Sequence, residues 1–273
     1  MTLLAVSAIT GFLFFVPPDS AASGNIKQML ETFLSQKDLK QAPELGWLDD
    51  RLDALRLEPA ADVRGILPIV LSLLRSENPS HEEIGSAVII VVALRQDSAQ
   101  LLGPDIPELV TLLDTHDRTH DGRALGFLAL LNPKPPATLV PLLLPRLLDY
   151  KLPEAKLLAI TSVLLRAAPN DPAVIDAVLN LLQEHPDVVM KCEVIRMIGA
   201  AQSVNERTIA LLKSALVDTD VNVRLMAVQA VERQPPEVIA RFAPQLRKIA
   251  ADTAEQSFSR ESATRALRRL GSQ

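Results

Sequence analysis

Residues 208–233 read TIALLKSALVDTDVNVRLMAVQAVER, which is two apolar segments separated by the polar turn VDTD. In both segments the apolar residues lie three and four positions apart, which is the spacing of an amphipathic or buried helix. The aspartates of the turn favour a chain reversal and supply the side chains that begin a helix. This stretch therefore predicts a helical hairpin.

The first segment of this hairpin recurs along the chain. Similar apolar stretches end at Leu74, Leu113, Leu148, Leu182, Leu216 and Ala250. The steps between these ends are 39, 35, 34, 34 and 34 residues. A second apolar segment follows each one, with predicted helix starts near Ser80, Thr119, Pro153, Asp187, Asp220 and Gln256. Because one hairpin cannot bury its own apolar face, the repeat predicts a stack of hairpins around one continuous core.

A basic residue recurs at the same place in the second helix of five units. We call these positions the basic ladder, which consists of Arg123, Lys156, Lys191, Arg224 and Arg260. Three residues later stands a mostly small residue, at Gly126, Ala159, Val194, Ala227 and Ala263. Four residues further on stands an aliphatic residue, at Leu130, Val163, Ile198, Val231 and Leu267. The small residues predict close approach between neighbouring helices, and the aliphatic ones predict a core between layers.

The segment LVDTDVNVRLMAVQAV (216–231) resembles the HEAT-repeat family, with its turn aspartate, its Val-Arg pair, and Ala and Val at helical spacing. HEAT units often carry a proline that kinks the first helix, and prolines stand near one phase of it here, at Pro68, Pro107, Pro141 and Pro244. The resemblance covers residues 62–270 in six repeats, and residues 25–57 resemble a degenerate seventh unit. It implies an all-α, right-handed α-α superhelix, a HEAT-like solenoid of about six to seven helical hairpins. Tetratricopeptide repeats share the period, but their Trp, Gly, Tyr and Pro pattern is absent.

Composition argues against several other classes of protein. Aromatic residues make up 3% and there are ten glycines, which disfavours a β-sandwich or barrel. The formal net charge of −5 argues against a nucleic-acid binder. The single cysteine, Cys192, excludes an internal disulfide and a multi-thiolate zinc site. Its neighbour Lys191 could lower the thiol pKa, but we interpret Cys192 as a small buried core residue.

Residues 1–22 form a separate segment. Leu3–Val16 is mostly apolar, and the tripeptide SAA (20–22) has the small residues of a cleavage site. The apolar run is shorter than the ~20 residues of a membrane span, which favours a signal peptide over an anchor, with a helix of the fold as a third alternative. The missing Lys or Arg before the run argues against a signal. We expect an exported, periplasmic or membrane-tethered protein rather than a cytoplasmic one, with membrane association only through residues 1–18.

The resemblance implies a non-catalytic scaffold or adaptor, and no enzyme, whose concave face of second helices binds a protein or peptide partner. The basic ladder could contact that partner, or its cations could pair with turn carboxylates of their own or an adjacent unit. The alternative function is a HEAT-like enzyme or a lyase-type accessory protein that acts on a protein-bound cofactor. We predict no cofactor and no nucleic-acid partner. Residues 235–273 hold seven Lys and Arg against four Asp and Glu, which either attracts an acidic partner or makes a soluble cap.

His116 and His120 are the strongest candidate for a metal site. On one helix, two imidazoles four residues apart could bind a divalent metal together with a carboxylate. The repeat register places both in the turn of their unit, where polar residues are expected, and the spacing defines no third ligand. His81-Glu82 resembles the His-Glu pairs with which HEAT-like deoxyhypusine hydroxylases bind iron, but those enzymes use several such pairs. We therefore predict no metal site.

Replacing both His116 and His120 by Ala should leave the melting temperature unchanged, with or without a chelator. A bound metal would stabilise the fold by roughly 2.7 kcal/mol at a hundredfold excess over its dissociation constant, a shift that calorimetry resolves. A chelator-dependent loss of stability that disappears in the double variant would instead establish a metal site.

Overall fold

The chain is all-α. The computed structural model describes residues 22–35, 52, 55–115 and 127–271, and every regular element within them is an α-helix or a short 3-10 turn, with no strand. This confirms the predicted fold class. The apolar segment up to residue 21, Arg123 of the basic ladder, and the pair His116 and His120 lie outside the described residues. Within the described part, no helix has both the length and the apolar content to cross a membrane.

The chain divides into two compact units, and the first extends to Val92. Its helices are α1 (Ala22–Ser35), α2 (Ala60–Leu74) and α3 (Pro79–Ala93), the last of which runs one residue past this limit. α1 packs against α2 and buries Ile26, Leu30 and Phe33. It overlaps the stretch 25–57, where a degenerate helical pair is predicted.

The second unit begins at Ala93 and is built from helical hairpins. Its helices are α4 (Ser98–Leu102), α5 (Ile106–Thr115), α6 (Val140–Leu147), α7 (Glu154–Ala167), α8 (Pro172–Glu184), α9 (Val188–Ala201), α10 (Glu206–Ala215), α11 (Val221–Glu232), α12 (Pro236–Ile239), α13 (Ala243–Ala251) and α14 (Ser257–Gly271). In four of the six predicted hairpins the two helices are in contact. These hairpins are α6–α7, α8–α9, α10–α11 and α13–α14. The second helices α7, α9, α11 and α14 each begin within one residue of the start predicted from the sequence.

Local side-chain chemistry explains why the prediction of these starts succeeds. The carboxylate of Asp187 accepts the backbone N–H of Met190 at 2.8 Å, at the beginning of α9. Asp220 accepts the N–H groups of Asn222 and Val223 at the beginning of α11. The first N–H groups of a helix have no partner within it, so a capping carboxylate stabilises the helix start.

Prolines determine where several first helices begin. Short 3-10 turns at Gly103–Asp105, Ala137–Leu139 and Ala240–Phe242 precede α5, α6 and α13. A proline is the second residue of each of these helices, at Pro107, Pro141 and Pro244. Proline has no N–H and its ring clashes with the carbonyl four residues earlier, so the preceding helical turn cannot continue regularly through it. The predicted kink therefore takes the form of a 3-10 turn followed by a new α-helix, whereas Pro68 lies inside α2.

The second helices pack in series, α7 on α9, α9 on α11 and α11 on α14. The predicted aliphatic positions Val163, Ile198 and Val231 are completely buried in this layer. Among the described glycines, the one with the closest neighbour is a residue that the repeat register did not single out. A Cβ added to Gly199 in α9 would stand 2.6 Å from the Cα of Ala230 in α11. The absence of a side chain at Gly199 therefore sets the distance between these two helices.

Gly199→Ala should destabilise the second unit, because its methyl group would push against the backbone of Ala230. Overpacking of this kind costs about 1–3 kcal/mol, which exceeds the roughly 1 kcal/mol that Ala gains over Gly in a helix. Gly65→Ala in α2 is the matched control, since nothing lies within 4 Å of its added Cβ, and it should stabilise by about 0.5–1 kcal/mol. Urea unfolding followed by circular dichroism measures both variants. A Gly199→Ala protein more stable than the wild type would contradict the close approach.

Candidate partner-binding face

Two cations of the basic ladder bind a carboxylate of the following repeat. Lys191 in α9 forms an ion pair with Asp218, which lies in the turn before α11. Arg224 in α11 donates from Nε to Oε2 of Glu255 at 2.7 Å and from Nη2 to Oε1 at 3.2 Å. A bidentate pair of this kind fixes orientation as well as distance. These two ion pairs therefore hold neighbouring repeats in register.

Arg224 also binds the turn of its own repeat. Its Nη1 donates to the carbonyl oxygens of Asp218, at 2.8 Å, and Thr219, at 3.0 Å. The side chain of Glu255 is only 6% exposed and that of Arg224 23% exposed, so water and salt screen this pair less than a surface pair. One guanidinium thus connects the turns of two successive repeats.

The other ladder residues differ from these two. Lys156 in α7 is 5% exposed. Arg260 in α14 donates from Nη1 to the carbonyl oxygen of Thr253, at 3.2 Å, in the turn of its own repeat. Arg123 lies outside the described residues. For Lys191 and Arg224, of the two roles that the sequence left open, the structure shows the pairing between repeats.

Hydrogen bonds connect the loops at the opposite ends of the second helices. The hydroxyl of Ser98 accepts the backbone N–H of Asn132 at 2.9 Å. The hydroxyl of Ser203 donates to the carbonyl oxygen of Pro169 at 2.5 Å. Each of these bonds joins residues that are 34 positions apart, which is one repeat. The second helix α9 is therefore bound to a neighbouring repeat at its start, through Lys191, and beyond its end, through Ser203.

The solvent-facing side of the second helices is partly apolar. We call this surface the binding face and define it by Leu158, Val189, Cys192, Leu225, Met226 and Phe258, all half-buried or exposed. Val189 and Phe258, at the starts of α9 and α14, are 64% and 68% exposed. The basic ladder predicted from the sequence does not include these residues. The available signal was the apolar residue one or two positions after Lys156, Lys191 and Arg224.

Cys192 is half-buried, which corrects its interpretation as a buried core residue. Burial raises the pKa of the thiol, and the carboxylates of Asp220, Glu193 and Asp218 raise it further. The adjacent Lys191 acts in the opposite direction and is outweighed. The Cys192 thiol therefore stays protonated at neutral pH and is not an activated nucleophile.

His81 lies in the first turn of α3 and contacts the loop that precedes this helix. It is 4% exposed, and its Nδ1 lies 2.8 Å from the hydroxyl oxygen of Ser76. The same hydroxyl accepts the backbone N–H of Asn78 at 3.2 Å. In the ranges that the structure describes, no group of three or more His, Cys, Asp or Glu is placed to hold a metal ion.

Acid should weaken the packing of the repeats through these ion pairs. The hydrogen bond from Arg224 lowers the pKa of Glu255, and the hydrogen bond from Lys191 lowers the pKa of Asp218. Such carboxylates stabilise the fold above their unfolded pKa of about 4, and the contribution disappears as the pH falls through the lower folded value. We expect Glu255→Gln to cost about 1 kcal/mol at pH 7, a difference that shrinks as the pH falls below about 4.

The control for this prediction is Glu206→Gln. Glu206 pairs with Arg241 at 2.7 Å, but its side chain is 76% exposed, so solvent screens the pair and its loss should change little. Urea titrations from pH 7 down to pH 3 give both free energies of unfolding. A loss in Glu255→Gln that stays undiminished in acid would show that the ion pair is not its cause.

Comparison with known proteins gives one family match and several solved structures of low sequence identity. Residues 175–268 match the family model of HEAT repeats. A crystallised engineered protein aligns at 19% identity over 90% of this chain and 68% of its own, with a TM-score of 0.46. A designed armadillo repeat protein aligns at 18% identity over 89% of this chain and 99% of its own, with a TM-score of 0.40. A designed armadillo repeat protein in complex with the peptide (KR)4 aligns at 17% identity over 89% of this chain and 98% of its own, with a TM-score of 0.38.

No curated protein matches the chain. The family match begins in α8 and ends in α14, so it covers the hairpins in which the ladder cations Lys191 and Arg224 join successive repeats. It includes the segment 216–231, on which the resemblance was first recognised. The match confirms the resemblance to HEAT repeats over residues 175–268.

Proposed function

We propose that the protein is a non-catalytic scaffold that binds a protein or peptide partner on the binding face. One observation carries this proposal. The second helices of three consecutive repeats, α7, α9 and α11, carry apolar side chains that are partly exposed to water. These are Leu158, Cys192, Leu225 and Met226, at positions where contact with water alone would favour polar side chains. Protein interfaces combine a partly apolar centre with a polar rim, and the half-buried Gln229 stands one helical turn after Leu225 and Met226.

The repeat architecture supports the same function. HEAT repeats commonly mediate protein binding, because stacked hairpins present an extended surface at fixed spacing. In this proposal the buried Lys156 and the paired Lys191 and Arg224 act indirectly, by holding the helices of the face in register. Among the ladder cations, direct contact with the partner is then proposed only for Arg123 and Arg260.

Photo-crosslinking tests this proposal. Benzoylphenylalanine placed at Leu225 should crosslink one protein in material from the native source, because Leu225 lies at the centre of the face. The same probe at Lys213, which is exposed on the first helix α10, is the matched control and should give no such product. Mass spectrometry identifies the captured protein.

A second variant then measures the contribution of the face. Leu225→Glu should weaken binding of the captured protein by about tenfold or more, because it places a charge in the apolar centre. Its melting temperature should stay close to that of the wild type, since Leu225 is only half-buried. Equal crosslinking from Lys213, or unchanged affinity of Leu225→Glu, would contradict binding at this face.

A further inference from the structure

Arg260 in α14 holds the ladder position that Arg224 holds in α11. Arg224 donates from Nη1 to the carbonyl oxygen of Asp218, in its own turn, and binds Glu255 of the next repeat through Nε and Nη2. Arg260 repeats the first contact, with Nη1 3.2 Å from the carbonyl oxygen of Thr253. Among residues 22–35, 52, 55–115 and 127–271, no acceptor contacts Nε or Nη2 of Arg260. Nε and Nη2 of Arg260, which are the atoms with which Arg224 binds Glu255, therefore have no carboxylate partner among these residues.

An open groove on α14 beside Arg260 has room for such a group. We call it the terminal groove, an open space of about 350 Å³ lined by Ser257, Arg260, Glu261, Thr264, Arg265 and Arg268. Val228 of α11, at the position equivalent to Thr264, is completely buried, whereas Thr264 is half-buried. At this position the surface is therefore apolar and covered in α11 but polar and partly open in α14.

The charge of the terminal groove is positive. Arg265 is neutralised by Glu232, with Nε 2.6 Å from Oε1. Arg260 and Arg268 then stand against the single carboxylate of Glu261. Two guanidinium groups on one face of α14, about two turns apart, match an occupant that carries carboxylates.

We propose that the terminal groove binds an acidic segment of a protein partner. A carboxylate of that segment binds Nε and Nη2 of Arg260, as Glu255 binds Arg224, and a second carboxylate binds Arg268. A protein carboxylate fits better than a nucleic-acid backbone, because the equivalent site on Arg224 holds a carboxylate and the chain has a net charge of −5. Binding of an acidic segment to these guanidinium groups needs no partner on the binding face, so this inference does not depend on the proposed function.

Fluorescence anisotropy with fluorescein-labelled hexaglutamate tests the proposal on the full chain at low salt. The wild type should bind the peptide, and Arg260→Gln should weaken binding by about tenfold. Arg260→Lys keeps the charge but loses the bidentate geometry, so it should restore only part of the affinity. Arg247→Gln, at an exposed position of α13, is the matched control and should bind like the wild type. Circular dichroism checks that each variant is folded.

Several outcomes would overturn this assignment. Absence of hexaglutamate binding by the wild type would do so, as would an equal loss of affinity in Arg247→Gln, which would indicate diffuse charge attraction. Tighter binding of a labelled oligothymidylate, lost in Arg260→Gln, would assign the groove to nucleic acid. Self-association in analytical ultracentrifugation that Arg260→Gln abolishes would assign it to a second copy of the chain.

Discussion

The side-by-side packing of α9 and α11 is the constraint on which the other interactions of the second unit depend. A hairpin such as α10–α11 cannot bury its apolar residues alone, so its stability comes from contact with the next hairpin. Gly199 lets α9 approach the backbone of Ala230 with no side chain between them. At this separation Lys191 reaches Asp218. A wider spacing would break the ion pair and open the aliphatic layer at the same time.

The two ends of α9 are held by different chemistry. At the starts, the ion pairs of Lys191 and Arg224 join successive turns, and at the ends, hydrogen bonds such as Ser203 to Pro169 join successive loops. Single exposed ion pairs contribute little to stability. Contacts at both ends nevertheless oppose sliding and rotation of one helix against the next. A partner would therefore meet side chains whose spacing is already fixed, which reduces the entropy lost on binding.

The sequence predicts the parts of this structure that depend on local chemistry. Helix starts at Asp187 and Asp220 follow from the capping carboxylate and the apolar period, and both are found within one residue. The role of Lys191 could not be decided from sequence, because Asp218 is 27 positions away and their contact depends on the distance between helices. The half-exposure of Cys192 depends on the same packing, so it was also missed.

Lys191 and Arg224 make two successive joints between repeats chemically alike. Lys191 meets Asp218 across one joint and Arg224 meets Glu255 across the next, so each joint sets a cation against a carboxylate. If α10 and α11 were excised together, the same stacking would bring Lys191 opposite Glu255 and restore a pair of the same kind. A chain built in this way can change its length by whole hairpins, through duplication or deletion, without redesigning the surfaces that meet. The number of second helices that such a chain presents therefore changes in steps of one repeat.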